Sequence, residues 1–208
     1  MTESRPTIFI VDDDPSVRQS TELLLKSVGF NVKTFVSAQD FLKANLQEDL
    51  GCLILDVRMP GISGLDLQEK LVSSKTPLPV IFITGHGTVP MSVRAMKAGA
   101  IDFLQKPFEE QDLLDAIHRA ITRQRERKSK KDEADELQQR LKALTAREYE
   151  VFSLLVIGMA NKEIAYKLGT SERTVKAHRA QIMEKMNAGS LADLIRFAEK
   201  LKTRPTDH

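Results

Sequence analysis

The feature that most constrains this chain is a regular alternation across its first 120 residues. Five short apolar runs rich in β-branched residues, Thr7–Val11, Asn31–Phe35, Cys52–Leu55, Val80–Ile83 and Ile101–Leu104, are separated by stretches with helical periodicity. Val17, Leu24, Leu25 and Val28 fall on one face of a first helix, Phe41 and Leu42 in a second, and Leu65, Leu67 and Leu71 in a third. Val93, Ala95 and Met96 belong to a fourth, and Leu113, Leu114 and Ile117 mark a fifth. Continuously apolar strands alternating with helices require a parallel sheet covered on both faces. With right-handed crossovers, the expected fold is a five-stranded doubly wound α/β domain. In such a fold the site lies outside the carboxyl ends of the strands, where the strand order reverses.

The residues at those strand ends are chemically pointed. The first strand runs into Asp12-Asp13-Asp14, the third into Asp56, the fourth into Thr84-Gly85 and the fifth into Lys106-Pro107. Each alone has a plain explanation; Asp14-Pro15-Ser16, for instance, reads as a helix cap with proline at the first position. Together they place carboxylates, a hydroxyl and an ammonium at one rim. Crowded carboxylates repel, and a hard cation such as Mg²⁺ relieves that repulsion using a few carboxylates, water and phosphate oxygens. This set suits phosphoryl transfer, which depends mostly on positioning and electrostatics. Asp56 is the expected nucleophile, Asp13 the direct metal ligand with Asp12 acting through water, and Thr84 and Lys106 the partners of the phosphoryl oxygens.

The segments VDDD, LDVRMPGISG and ITGHGTVPMSVRAMKAGAIDFLQKPF resemble the receiver domain of two-component response regulators, especially the FixJ/NarL class. The resemblance covers residues 5–122 and implies a flavodoxin-like fold. It makes Asp56 the phosphoacceptor from a histidine kinase and Asp12, Asp13, Asp56 and the Arg58 carbonyl the metal-binding set. It also implies a cis Lys106–Pro107 bond and a switch aromatic at Phe103, where phenylalanine lacks the hydroxyl of the tyrosine often found there.

Beyond Ile121 the apolar period fades into TRQRERKSKKDEADELQQRLK, rich in helix formers and free of glycine and proline. Residues 123–138 are expected to form a charged linker, either an extension of the last receiver helix or a solvated tether. Leu137, Leu141 and Leu144 recur at helical spacing. Charge also divides the chain: residues 1–121 carry 12 Lys+Arg and 16 Asp+Glu, whereas residues 122–208 carry 19 and 13. The basic second half favours a polyanionic partner.

No strand pattern follows residue 142. Thr145-x-x-Glu148 reads as a capping box, Asn161 as the cap of a short helix ended by Gly169, and Ser171 as the next cap. Val175, Ile182 and Met186 share the buried face of the third helix, while Arg173, Lys176, Ala177 and Ala180 lie opposite. Small residues among basic ones let a helix enter a major groove, where Lys176 can donate to guanine. Thr174, His178 and Arg179 flank that face toward the phosphates. The stretch from Leu144 to Ala198 resembles the LuxR-type helix-turn-helix, an all-α four-helix domain over residues 139–204. By that resemblance Thr174–Met186 is the recognition helix and the last helix pairs two copies.

The expected protein is therefore a response regulator whose phosphorylation controls DNA binding and transcription. Its expected partners are a histidine kinase, double-stranded promoter DNA, RNA polymerase as a further candidate, and a second copy when phosphorylated or on DNA. A Mg²⁺-dependent Asp-nucleophile phosphohydrolase and a phosphorelay protein without DNA output are the alternatives. Phosphohydrolases of that type usually carry an acid two residues after the nucleophile, where this chain has Arg58. The expected enzyme activity is limited to slow self-dephosphorylation. No apolar run approaches the ~20 residues of a membrane helix. The single cysteine, Cys52, and the absence of a secretory pattern point to the cytoplasm.

Overall fold

A computed structural model describes residues 5–44, 50–73 and 78–202. It divides into two compact units, Met1–Arg127 and Lys128–His208.

The first unit contains β1 (Thr7–Val11), α1 (Pro15–Ser27), β2 (Asn31–Phe35), α2 (Ala38–Lys43), β3 (Gly51–Asp56), α3 (Gly64–Ser73), β4 (Val80–Thr84), α4 (Val89–Lys97), β5 (Asp102–Gln105) and the start of α5 (Glu110–Lys142). The sheet order is β2-β1-β3-β4-β5, with parallel pairing throughout. The expected doubly wound fold is therefore present. Side chains alternate across a strand, and that alternation divides the core in two. Phe9, Val11, Leu53, Leu55, Val80 and Phe82 face Phe41, Leu65, Leu67, Leu71 and Ala95 of α2, α3 and α4. Ile8, Ile10, Cys52, Ile54, Ile81 and Ile83 face Leu25 of α1 and Leu113, Ala116, Ile117, Ala120 and Ile121 of α5.

Some local expectations shift. The third and fourth strands extend to Asp56 and Thr84, and the fifth begins at Asp102 rather than Ile101. The apolar face assigned to α1 ends before Val28, which is the 48% exposed C-cap, and Thr21 joins Leu25 as a buried residue. In α4 only Ala95 is buried, whereas Val93 and Met96 remain nearly half exposed.

The linker alternatives resolve locally as a helix. α5 continues through the charged stretch to Lys142, and its exposed middle needs no apolar partner because its composition favours helix. In the second unit Leu137 is buried, and Leu141 and Leu144 pack against a core formed by α6 (Ala146–Leu155), α7 (Asn161–Lys167), α8 (Glu172–Met186) and α9 (Leu191–Lys202). Thr145 forms both halves of its capping box with Glu148. Asn161 is the first residue of α7 rather than its cap: Ala160 holds the cap position, and the Glu163 carboxylate accepts the Ala160 N–H at 2.8 Å. The acidic side chain reaches back and performs the task assigned to asparagine. Gly169, at φ +62°, reverses the chain between α7 and α8, and Ser171 caps α8. The expected domain boundary at residue 204 lies outside the described residues. Among the described residues, no helix is long and apolar enough to cross a membrane.

Candidate functional site

β1 and β3 are neighbours, yet the chain proceeds from β1 to β2 on one side and from β3 to β4 on the other. Their carboxyl ends therefore flank the reversal of strand order. Val11 pairs with Leu55, so Asp12 and Asp56 leave adjacent strands side by side. β4 delivers Thr84 to the same rim, and the Lys106 N–H donates to the Thr84 carbonyl at 2.8 Å, bringing the chain after β5 alongside.

Lys106 Nζ donates to Asp12 Oδ2 at 2.7 Å and to Asp56 Oδ1 at 3.0 Å. Both carboxylates are buried, and the ammonium is largely so. The Arg58 N–H donates to Asp56 Oδ2 at 2.6 Å, and the Asp14 N–H to Asp12 Oδ1 at 2.9 Å. Arg18 Nη1 donates to the Asp12 carbonyl at 2.7 Å, tethering the β1–α1 turn. Burial raises the Asp56 pKa above its ordinary value; Lys106 and the Arg58 amide oppose that rise, and the Asp12 charge adds to it. For Lys106, burial alone would lower the pKa, but bonds to Asp12 and Asp56 outweigh it and hold the ammonium above the ordinary lysine value. The site is a charged triad kept ionised by mutual contact.

Among the described residues, no three His, Cys, Asp or Glu side chains converge closely enough to enclose a metal ion. Asp13 is exposed at the rim, apart from the buried Asp12 and Asp56, and the Arg58 side chain is exposed. The expected metal set is thus not a closed carboxylate cage, because the Lys106 ammonium draws Asp12 and Asp56 together. The donor chemistry nevertheless fits Mg²⁺. Two buried carboxylates share one compensating ammonium, and that ion retains water and needs only a few carboxylates.

Thr84 is buried, and its Oγ1 accepts the His86 N–H at 3.3 Å, leaving its own hydroxyl hydrogen to be donated. Phe103 is half-buried, its ring 6.0 Å from that of Phe82. Gly87, after β4, lies so close that an added Cβ would stand 2.9 Å from Phe103 Cε1. The Lys106–Pro107 bond is cis.

In the second unit α8 presents Arg173, Thr174, Lys176, Ala177 and Ala180 to solvent, with His178 and Arg179 half-buried. Thr174 is engaged in the helix cap with Ser171, and Lys176 is ion-paired with Glu172 at 3.2 Å. His178 Nδ1 is buried without a hydrogen-bond partner, so this residue combines the packed and the flanking environments. Sequence reading missed the groups that fix the helix ends. Arg147 Nη2 donates to the Leu168 carbonyl at 2.6 Å, and Arg140 Nη1 to the Met186 carbonyl at 3.1 Å. Lys185 pairs at 2.6 Å with buried Glu148. Only the capping half of Glu148's role left a local signal.

Comparison with known proteins agrees with both halves. Residues 8–118 match the family described as response regulator receiver domain, and residues 142–198 match bacterial regulatory proteins of the luxR family. Nodulation protein W of Bradyrhizobium diazoefficiens is 46% identical over 95% of this chain and 87% of its own. Transcriptional regulatory protein FixJ of Azorhizobium caulinodans is 45% identical over 100% of this chain and 98% of its own. The solved structure of response regulator StyR is similar with a TM-score of 0.85 at 51% identity, covering 95% of this chain and 100% of that one. The chain belongs to the response regulators that join a receiver domain to a LuxR-type DNA-binding domain.

Proposed function

We propose that Asp56 accepts a phosphoryl group from a sensor histidine kinase and that this modification controls promoter binding by α8. The observation that carries this reading is the bridge from Lys106 Nζ to both Asp12 and Asp56, at 2.7 and 3.0 Å. It holds a buried carboxylate ionised at the switch point of the sheet. An Asp56 oxygen attacks phosphorus, the O–P bond forming as the N–P bond of a phosphohistidine breaks and the imidazole leaves with the electron pair. Asp12, Asp13, Asp56 and the Arg58 carbonyl would hold Mg²⁺, which supplies neutralisation of charge on the phosphoryl oxygens. Lys106 then pairs with one phosphoryl oxygen, and Thr84 donates its hydroxyl to another. Moving Thr84 disturbs its bond to the His86 N–H, and Phe103, packed against Gly87 of the same loop, follows without a hydroxyl of its own.

The functional divisions of this reading are a receiver over residues 5–122, a linker over 123–138 and a LuxR-type domain over 139–204. They are supported by the apolar face of α5, which stops at Ile121 and resumes at Leu137. On DNA, Lys176 exchanges Glu172 for a base edge, with Ala177 and Ala180 allowing close approach. Arg173, Thr174, His178 and Arg179 meet the backbone. The phosphorylated protein dimerises on paired half-sites beside RNA polymerase in the cytoplasm. Turnover is confined to slow self-dephosphorylation, consistent with Arg58 standing where a phosphohydrolase carries its acid.

Incubation with a small phosphodonor and Mg²⁺ tests the central step. Wild type should gain one acid-stable, base-labile phosphoryl group, and Asp56→Asn should gain none; undiminished labelling of the variant defeats the assignment. Duplex DNA binding should weaken steeply as salt rises, since phosphate contacts release counterions.

A further inference from the structure

Away from the phosphoryl-acceptor rim, a cavity of about 240 Å³ opens at the amino end of β4, between α3, the turn after α4 and the first unit's part of α5. Val80 begins β4 beside it, while Thr84 at the other end of that strand belongs to the Asp56 site. Its lining combines apolar Leu71, Leu78 and Ile101 with Gln68, Arg123 and Arg127.

Two features of this lining are unanswered by the protein. Gln68 is only 2% exposed, and its Nε2 donates to the Ala95 carbonyl at 3.2 Å, which fixes the amide plane. Its Oε1 is buried with no hydrogen-bond partner. A buried acceptor left unmade costs stability, and most such groups in folded proteins are satisfied. Arg123 and Arg127 are exposed, and neither has an ion-pair partner among the described residues. Like charges four residues apart on a helix repel. An anion between them converts that repulsion into a charge-assisted, planar hydrogen-bonding site.

We infer that this cavity binds a small hydroxy-carboxylate with an apolar body. The carboxylate lies against Arg123 and Arg127, the body against Leu71, Leu78 and Ile101, and the hydroxyl donates to Gln68 Oε1. The volume is below the usual ~300 Å³ lower bound of drug-sized pockets, which limits the ligand to roughly ten or a dozen heavy atoms. Because Gln68 is bonded to α4 and the arginines lie on α5, one ligand would join three elements of the receiver. This inference is independent of phosphorylation at Asp56.

The test uses the unphosphorylated full chain with 4-hydroxybenzoate as probe, and with benzoate, phenol and inorganic phosphate as comparisons. Binding is read by calorimetry and by amide NMR shifts. A ten-atom ligand of this kind should bind with a dissociation constant of about 0.1–1 mM. Benzoate, lacking the donor, and phenol, lacking the charge, should each bind about tenfold more weakly. Shifts should centre on Gln68, Leu78 and Ile101. Gln68→Leu should erase the preference for 4-hydroxybenzoate over benzoate. The double change Arg123→Gln, Arg127→Gln alters exposed side chains and keeps the fold, and it should weaken both carboxylates. Absence of saturable binding at about 5 mM, inorganic phosphate binding as well as 4-hydroxybenzoate, or affinity unchanged by the double arginine variant overturns the inference.

Discussion

Replacing Lys106 with methionine keeps the length and apolar body of the side chain but removes the ammonium that bridges Asp12 and Asp56. Two buried carboxylates would then face each other without a cation. Breaking a buried ion pair from one side costs about 3–5 kcal/mol. The protein can limit that cost by protonating one carboxyl. At pH 7, protonating a carboxylate whose unfolded pKa is about 3.9 costs about 4 kcal/mol; at pH 5 it costs about 1.5 kcal/mol. The variant should therefore be less stable than wild type by about 4 kcal/mol at pH 7 and by about 1.5 kcal/mol at pH 5. The sign follows from a carboxyl pKa raised in the folded state. Its contribution is fully present below the unfolded value and is lost as pH rises through the folded one. Urea denaturation of both proteins by circular dichroism at pH 5, 6 and 7, without divalent cations, measures the difference. Mg²⁺ should restore part of the loss at pH 7, where both carboxylates are charged. A gap that stays constant across this range, or one under about 1 kcal/mol at pH 7, would refute the reasoning.

Gly64→Ala places a Cβ 2.1 Å from the Asp56 carbonyl oxygen, so strand or helix must shift. A loss of about 1–3 kcal/mol by urea titration is expected, with slower labelling of Asp56 by a phosphodonor. Gly87→Val should push the loop after β4 away from Phe103, visible as NMR shifts at both ends of that contact while the sheet amides stay unchanged. Leu194→Ala empties a fully buried position of the second unit's core and should cost about 2–5 kcal/mol in that unit's unfolding transition. The Lys185 bond and the Thr145 amide hold the Glu148 carboxyl below its ordinary pKa. Its stabilisation is present above the unfolded value and lost as pH falls through the folded one, so Glu148→Gln should flatten the acid side of the unfolding profile.

Much of the site was legible because its parts sit at strand ends. A strand that must be buried on both faces announces itself by composition, and the residue that follows it is placed by topology. Asp12, Asp56, Thr84 and Lys106 could be gathered at one rim on that basis. Asp13 could not be separated from Asp12 in this way, since adjacent residues in a turn share every local signal; burial alone divides them. The exposed faces of α4 misled in a similar manner. Val93 and Met96 are apolar at helical spacing, but nothing in that pattern shows that the sheet accepts only Ala95.

The sequence by itself determined the alternation of strands and helices, the capping of α1, α6 and α8, and the division into an acidic and a basic half. Those properties depend on neighbours within a few residues or on composition, and such information survives in one dimension. Only the tertiary structure decided that Lys106 is shared between Asp12 and Asp56, that Lys185 reaches Glu148, and that Arg140 and Arg147 tie the ends of α8 and α7. Each of these bonds joins residues separated by at least a helix length of chain. Coulombic and hydrogen-bonding partners are selected by distance in space, after the packing of apolar faces has fixed which strand ends and helix termini meet.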